Sequence, residues 1–121
     1  MKDLDETWNQ LFTSLDDAAR IDDPSNLEPT KINGLLASLN LVQPFEWRAW
    51  KTPIPALDAI PSLSMNDCVK QITRLVRANR TEEGLLWSSI KSGHLPALCR
   101  AARNCAAGQS IGLLPRPGEA D

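Results

Sequence analysis

The spacing of apolar residues is the feature that most limits how this chain can fold. In several segments, apolar side chains recur three and four positions apart, which is the repeat of one helix face. No segment alternates apolar and polar residues as a half-buried strand would. The pattern predicts helices over residues 4–20, 29–40, 64–79, 82–92 and 96–104. We therefore expect an all-α fold, a compact bundle of five to six short helices.

Residues typical of helix ends support these predicted helix boundaries. Asp3 and Ser64 have side chains that can accept hydrogen bonds from the free amides of a first helical turn. Thr81 is expected to begin the fourth helix in the same way, with Glu83 favourably placed in its first turn. Gly93 is expected to end that helix in a left-handed turn.

Prolines interrupt the helical pattern between the second and third predicted helices. Four of them, at positions 44, 53, 55 and 61, preclude a long regular helix there, so we expect a proline-rich irregular connection. A single helical domain is expected over residues 1–108, because a chain of this size can bury a core without metal or disulfide help. Residues 109–121 are expected to form a flexible C-terminal tail, although Ile111, Leu113 and Leu114 could dock on the domain.

The charges of the chain are unevenly distributed. Residues 1–40 hold eight acidic and three basic residues, whereas residues 69–103 hold seven basic and two acidic ones. The two stretches could pair within the fold or present separate acidic and basic faces to partners. The predicted partner-binding residues are four cations of the basic stretch and two tryptophans flanked by positive charge: Lys70, Arg74, Arg77, Arg80, Trp47 and Trp50.

The turn between the third and fourth helices has a structural interpretation as well. Arg77 and Arg80 suit the C-terminal end of one helix dipole, and Glu83 suits the N-terminal end of the next. An ion pair from Arg80 to Glu83 would fix the angle between the helices. Gly84 would allow a neighbouring segment to approach closely. The predicted structural joint thus consists of Arg80, Glu83, Gly84 and Gly93.

Catalytic and metal-binding motifs are missing from the sequence. Cys68, Cys99 and Cys105 are an odd number without a Cys-x-x-Cys pair, which favours reduced structural thiols, and we expect no metal and no cofactor. His94 is expected to cap carbonyls or to lie at the surface. An enzyme that uses His94 and Cys99 as a dyad is the third functional hypothesis, although no catalytic signature accompanies them.

Two segments together resemble a known family. The first is "FEWRAW", and the second is "LVRANRTEEGLLWSSIKSGHLPALCRAAR". This combination is similar to DUF6508, a bacterial family of domains of unknown function, over roughly residues 30–104. The matching positions would be Phe45, Trp47, Trp50, Arg77, Arg80, Glu83, Gly84, Gly93, Leu95, Leu98 and Arg100. Family members usually have aspartate in place of Asn79 and phenylalanine in place of Thr81. The resemblance implies a small helical bacterial domain and brings no established activity.

The functional expectation is a non-catalytic protein-binding module of inhibitor or adaptor type. By analogy, such a small domain would suit a phage or mobile element that blocks a bacterial complex, for example a nucleic-acid-targeting defence system. Lys70, Arg74 and Arg77 fall four and three residues apart on the predicted third helix, so with Arg80 they are expected to form an exposed basic ridge. The partner would be a protein that contacts this ridge or the acidic first helix, which would then imitate nucleic acid. The alternative is a weak nucleic-acid-binding protein that uses the ridge. No apolar run is long enough to span a membrane, and the acidic start is unlike a secretory signal, so a cytoplasmic location is expected.

Overall fold

In the computed structural model, residues 4–82, 84–106 and 111–114 are described, without the side chain of Pro24. Two short 3₁₀ helices, at Pro24–Asn26 and Leu57–Ser62, lie in the connections. The α-helices are α1 (Leu4–Ala19), α2 (Pro29–Ser38), α3 (Met65–Ala78), α4 (Leu85–Lys91) and α5 (His94–Ala106). The described ranges contain no strand. The prediction of an all-α bundle is therefore confirmed.

Helix α5 lies at the centre of the bundle. It packs against α3, α4 and α1 and against the second 3₁₀ helix. Its inward face consists of Leu95, Leu98, Cys99 and Ala102, which have no exposed surface and follow the three- and four-residue repeat of an amphipathic helix. Each fully buried leucine of this face contributes about 1.5–3 kcal/mol relative to an exposed one.

Helices α1 and α2 pack against each other on one side of this centre. Trp8 and Leu11 of α1 and Leu36 of α2 are buried in the shared core. Helix α4 packs against α1, and at the C-terminal end of α1 the Lys91 Nζ donates to the carbonyl oxygen of Ala19 at 2.6 Å. The acidic first helix is thus joined to the basic half of the chain by packing and by hydrogen bonds to backbone carbonyls.

Helix α3 begins as the sequence predicts. The Ser64 hydroxyl accepts a hydrogen bond from the Asp67 amide at 3.2 Å and caps the first turn. The buried face of α3 carries two polar side chains among the apolar ones, Gln71 and Thr73. Buried polar groups need hydrogen-bond partners, and both of these find them in the proline-rich connection.

The predicted start of α4 is wrong by three residues. The Thr81 hydroxyl donates back to the Ala78 carbonyl at 3.2 Å instead of capping a new helix, and α4 begins only at Leu85. The cap comes from Asn79, whose Oδ1 accepts from the Leu86 amide at 2.9 Å. Because the chain makes a turn between these residues, the capping group lies seven positions before the amide that it binds. Glu83 lies outside the described residues, and so does its predicted pair with Arg80.

Both glycines of the predicted joint have left-handed backbones. Gly84, the residue before α4, has φ of +87°, and so has Gly93, which follows α4 as predicted. A side chain at Gly84 would meet nothing within 4 Å, so the expected close approach of a neighbouring segment is not the reason for this glycine. The reason is conformational, since a positive φ is energetically unfavourable for residues that have a Cβ atom.

The last helix is longer than expected. It begins at His94, two residues before the predicted start, because proline is tolerated in a first helical turn and Pro96 does not delay it. Beyond α5, residues 111–114 dock on the domain. Asn40 Nδ2 donates to the Ile111 carbonyl at 3.0 Å, and Gln43 binds the Gly112 carbonyl at 2.9 Å and the Leu114 amide at 2.7 Å.

The flexible tail expected over residues 109–121 stays a prediction, because only residues 111–114 of it are described. Ile111 is buried and Leu114 is half-buried, whereas Leu113 is 83% exposed. The other residues after α5, 107–110 and 115–121, lie outside the described ranges. Within those ranges, no helix combines the length and apolar character that crossing a bilayer requires.

Candidate partner-binding surface

The proline-rich connection is fastened to α3 at two points. Thr73 holds its beginning, because its hydroxyl accepts from the Gln43 amide at 3.0 Å and donates to the Leu41 carbonyl at 3.3 Å. Farther along the connection, Gln71 Nε2 donates to the Pro53 carbonyl at 3.2 Å, and Arg74 donates to the Thr52 carbonyl. Residues 44–51 therefore leave α3 and return to it as a loop with a fixed base.

This loop carries three aromatic residues, of which Trp50 lies against cations of α3. The Phe45 and Trp50 rings meet edge to face, with centroids 5.8 Å apart. Arg74 Cζ lies 4.6 Å and Lys70 Nζ 5.9 Å from the centroid of Trp50, distances at which a cation is attracted to the ring. Within the loop, Arg48 Cζ lies 5.0 Å from the Trp47 centroid. We name these six residues the cation–aromatic surface: Phe45, Trp47, Arg48, Trp50, Lys70 and Arg74.

Arg74 is more constrained than a free surface cation. It is half-buried, and it donates to Gln71 Oε1 at 2.6 Å as well as to the Thr52 carbonyl. Burial lowers the pKa of its guanidinium below the usual value, although an arginine in a protein remains protonated at neutral pH. The side chain thus links α3, the connection and Trp50, and it is not the fully solvated member of a ridge that the helical spacing suggested.

Arg77 and Arg80 are placed differently from Lys70 and Arg74. Arg77 is half-exposed in the last turn of α3, where its charge suits the helix dipole, and Arg80 is exposed beyond that turn. Among the described residues, neither guanidinium lies over an aromatic ring. The structure therefore brings Trp50 together with Lys70 and Arg74, while Arg77 and Arg80 do not contact the rings.

The geometry of His94 and Cys99 offers little to a dyad. His94 Nδ1 lies 2.8 Å from the Ser92 hydroxyl at the corner between α4 and α5. Cys99 has no exposed surface, and desolvation by burial, followed by the neighbouring Cys68, raises the pKa of its thiol. A thiol that keeps its proton is a poor nucleophile.

The other cysteines divide into one buried and one exposed thiol. Burial raises the pKa of Cys68 to about 12, whereas Cys105 is exposed. No three His, Cys, Asp or Glu side chains gather into a metal-binding arrangement in the described part of the chain.

Sequence reasoning missed the polar residues that organise the connection and one cavity. Gln71 and Thr73 were hidden because a helical wheel marks a polar residue as exposed, whereas here the partners come from a distant segment. Gln43 was hidden because it lies in the irregular connection, where no periodic pattern applies. The cavity, of about 470 Å³, is lined by residues from three separate parts of the sequence: Asp23, Ser25, Leu27, Pro29, Asn79, Gly84 and Trp87. No single local motif could have indicated it.

The comparison with known families agrees with the resemblance seen in the sequence. The profile described as "Family of unknown function (DUF6508)" matches residues 26–108, about two-thirds of the chain. The chain belongs to the DUF6508 family. The match contains α2 to α5 and the whole cation–aromatic surface, whereas α1 precedes it. No curated protein and no solved structure matches this DUF6508 chain.

Proposed function

We propose that this DUF6508 chain is a non-catalytic protein-binding module of inhibitor or adaptor type. Its contact surface is the cation–aromatic surface, and its partner presents acidic side chains. The observation that carries the proposal is the position of Trp50, which is half-exposed on a loop with a fixed base and lies within cation–π distance of Lys70 and Arg74.

The composition of this surface is that of a protein-binding hot spot. Tryptophan and arginine are the residues most enriched among side chains that dominate binding energy. A ring and a guanidinium that are already held in place lose little conformational entropy on binding, so more of the contact energy appears as affinity. The loop satisfies this condition because Thr73, Gln71 and Arg74 fasten both of its ends to α3.

The charge of the surface sets the partner class. Arg48, Lys70 and Arg74 contribute three positive charges, and Glu46, which is exposed, is the one acidic residue within the described loop 44–51. An acidic protein segment would be attracted to this net positive charge. The more specific idea of a phage- or mobile-element-borne inhibitor of a defence complex rests on analogy with other small domains.

Direct nucleic-acid binding is less favoured by the same geometry. Single-stranded nucleic acids bind by stacking bases on open aromatic faces. At least one face of Trp50 is occupied by the Arg74 guanidinium, and one face of Trp47 by that of Arg48. The overall balance of charge is also acidic, at −2. An enzyme built on His94 and Cys99 is disfavoured by the burial of the thiol.

Capture from a bacterial lysate by charge variants tests the proposal. Lys70→Glu and Arg48→Glu reverse charges that make no backbone contact in the described structure, so folding should be preserved. Lys31→Glu, on an exposed position of α2, is the matched control. We expect one captured protein, identified by mass spectrometry, to be lost with the first two variants and retained with the control. Equal capture by all three variants would contradict the proposal.

A parallel measurement separates the nucleic-acid alternative. Fluorescence anisotropy with single-stranded and duplex DNA at low salt should give no saturable binding. Binding that weakens steeply with added salt, and that Lys70→Glu reduces, would favour direct nucleic-acid recognition instead. His94→Ala should leave capture unchanged, since the imidazole has no part in the contact.

A further inference from the structure

The molecule also has a concave site that shares no residue with the cation–aromatic surface. It is the cavity of about 470 Å³ where the first 3₁₀ helix and the start of α2 face the turn between α3 and α4. This volume is in the range of about 300–1,000 Å³ that is typical of small-ligand pockets. Its apolar wall consists of Leu27, Pro29 and Trp87.

The wall is held in a fixed orientation. Trp87 is half-buried, and its indole Nε1 donates to the Ile21 carbonyl at 3.1 Å. Asn79 is fixed as the cap of α4. Gly84 also lines the cavity, and no atom lies within 4 Å of the position that a Cβ would take there. The cavity is therefore kept open by elements that are themselves anchored.

Among the described residues that line the cavity, Asp23 is the one that carries a charge. Its Oδ1 accepts from the Ser25 amide at 3.0 Å, and this bond, followed by one to the Ser25 side chain, lowers the pKa of the carboxyl group. Asp23 is thus a full negative charge at neutral pH, on an exposed side chain that lines the cavity. The amino end of α2, at Pro29, contributes only a partial positive charge. The balance favours a cation over an anion.

The aromatic wall points to the same class of ligand. Indole is the best of the aromatic rings at attracting cations. In this structure the Trp87 ring already attracts one cation. Lys91 Nζ lies 5.6 Å from the centroid of that ring and also donates a hydrogen bond to the Ala19 carbonyl.

We propose that this cavity is a binding site for an organic cation, an ammonium or guanidinium group on an apolar stem. The charged group lies at the Asp23 carboxylate, and the stem packs against Trp87, Leu27 and Pro29. The source of the cation is a free small amine or the side chain of a lysine or arginine in another protein. The site is independent of the cation–aromatic surface, so one proposal can fail without the other.

Titration of the full chain with matched probes tests the site. Phenethylammonium carries the charge, phenethyl alcohol is its neutral counterpart, and 3-phenylpropionate is the anion. The readout is the NMR shift of the Trp87 indole N–H, assigned by its loss in Trp87→Phe. We expect saturable binding of the ammonium with a Kd on the order of 1 mM, and at least fivefold weaker binding of the alcohol and the anion.

Two neighbouring carboxylates provide the control. Asp23→Asn should weaken ammonium binding about two- to fivefold, whereas Asp22→Asn, the same change one residue earlier on a side chain that does not line the cavity, should alter it less than about 1.5-fold. Equal affinities for the ammonium and the alcohol, equal effects of the two variants, or no saturable shift would each overturn the proposal.

The capped amino acids N-acetyl-arginine methylamide and N-acetyl-lysine methylamide then identify the source. If either binds more tightly than phenethylammonium and depends on Asp23, the natural ligand is a basic side chain of a protein. If phenethylammonium binds more tightly and depends on Asp23, the ligand is a small amine. Both results support the site.

Discussion

The α3–α4 turn and the proline-rich connection are both irregular, but different contacts fix them. The turn is fixed locally, by the Asn79 cap seven residues from Leu86 and by the left-handed Gly84. The connection is fixed by side chains of α3 that lie 18 to 32 residues away in sequence. The turn is held by contacts between nearby residues, whereas the connection is held only once distant segments of the chain have come together.

The difference bears on the proposed function. Among the described residues, Arg77 and Arg80 lie over no aromatic ring, whereas Arg74 binds the connection and lies over Trp50. The proposed contact surface therefore depends on the residues that the connection brings to α3, and the spacing of the cations along α3 does not by itself define it.

The largest expected effect is at the base of the connection. Thr73→Val keeps the shape of the side chain but removes the bonds to the Gln43 amide and the Leu41 carbonyl. Leaving these buried groups unpaired should lower the free energy of unfolding by about 2–3 kcal/mol, measured by urea denaturation. Thr13→Val, at an exposed position of α1, should change it by less than about 0.5 kcal/mol. A similar loss in both variants would remove the distinction between the two regions.

The next effect concerns the backbone of the turn. Gly84→Ala should destabilise the protein by about 1–2 kcal/mol, because a φ of +87° is sterically unfavourable for alanine. Gly34→Ala, inside α2 and without a neighbour within 4 Å of the new Cβ, should instead stabilise it by up to about 1 kcal/mol. Thermal unfolding of the two variants checks the opposite signs, and a stabilising Gly84→Ala would contradict the conformational role of this glycine.

A smaller effect is expected for the cap of α4. Asn79→Ala removes the acceptor for the Leu86 amide and should cost about 1 kcal/mol. Asn79→Asp keeps an acceptor, and its charge lies both near the start of α4, where it is favourable, and at the C-terminal end of α3, where it is unfavourable, so its free energy of unfolding should stay close to that of the wild type. If aspartate were as damaging as alanine, the hydrogen bond would not be what holds the turn.

Most of the helices could be predicted from the sequence because their signals are local. The apolar repeat predicted α1, α2 and α3 closely, and Ser64 and Gly93 act as their residue types suggest. The start of α4 could not be predicted, since Thr81 is a good capping residue by type but its hydroxyl binds the preceding turn of α3 instead. Asn79 and Thr81 are both suitable capping residues for α4 by type. Which of them binds the first turn depends on how the chain folds between the two helices.

The site was only partly predictable for the same reason. Lys70, Arg74 and Trp50 were recognisable as candidates, but their meeting depends on contacts from residues 41–53 to α3. Gln71 and Thr73 could not be singled out, because nothing in their own helix distinguishes a buried polar side chain from a solvated one. The cavity beside Asp23 requires three separated segments to fold together.

The most direct test of the account is a double-mutant cycle between Arg74 and Trp50. The free energies of unfolding of Arg74→Ala, Trp50→Ala and the double variant give the coupling of the two side chains. We predict a favourable coupling of about 0.5–1 kcal/mol, as a partly buried cation–π contact should give. The cycle of Trp50 with Arg77, on the same helix, should give nearly zero. A zero coupling for Arg74, or an equal one for Arg77, would contradict the claim that Arg74 holds the cation–aromatic surface together.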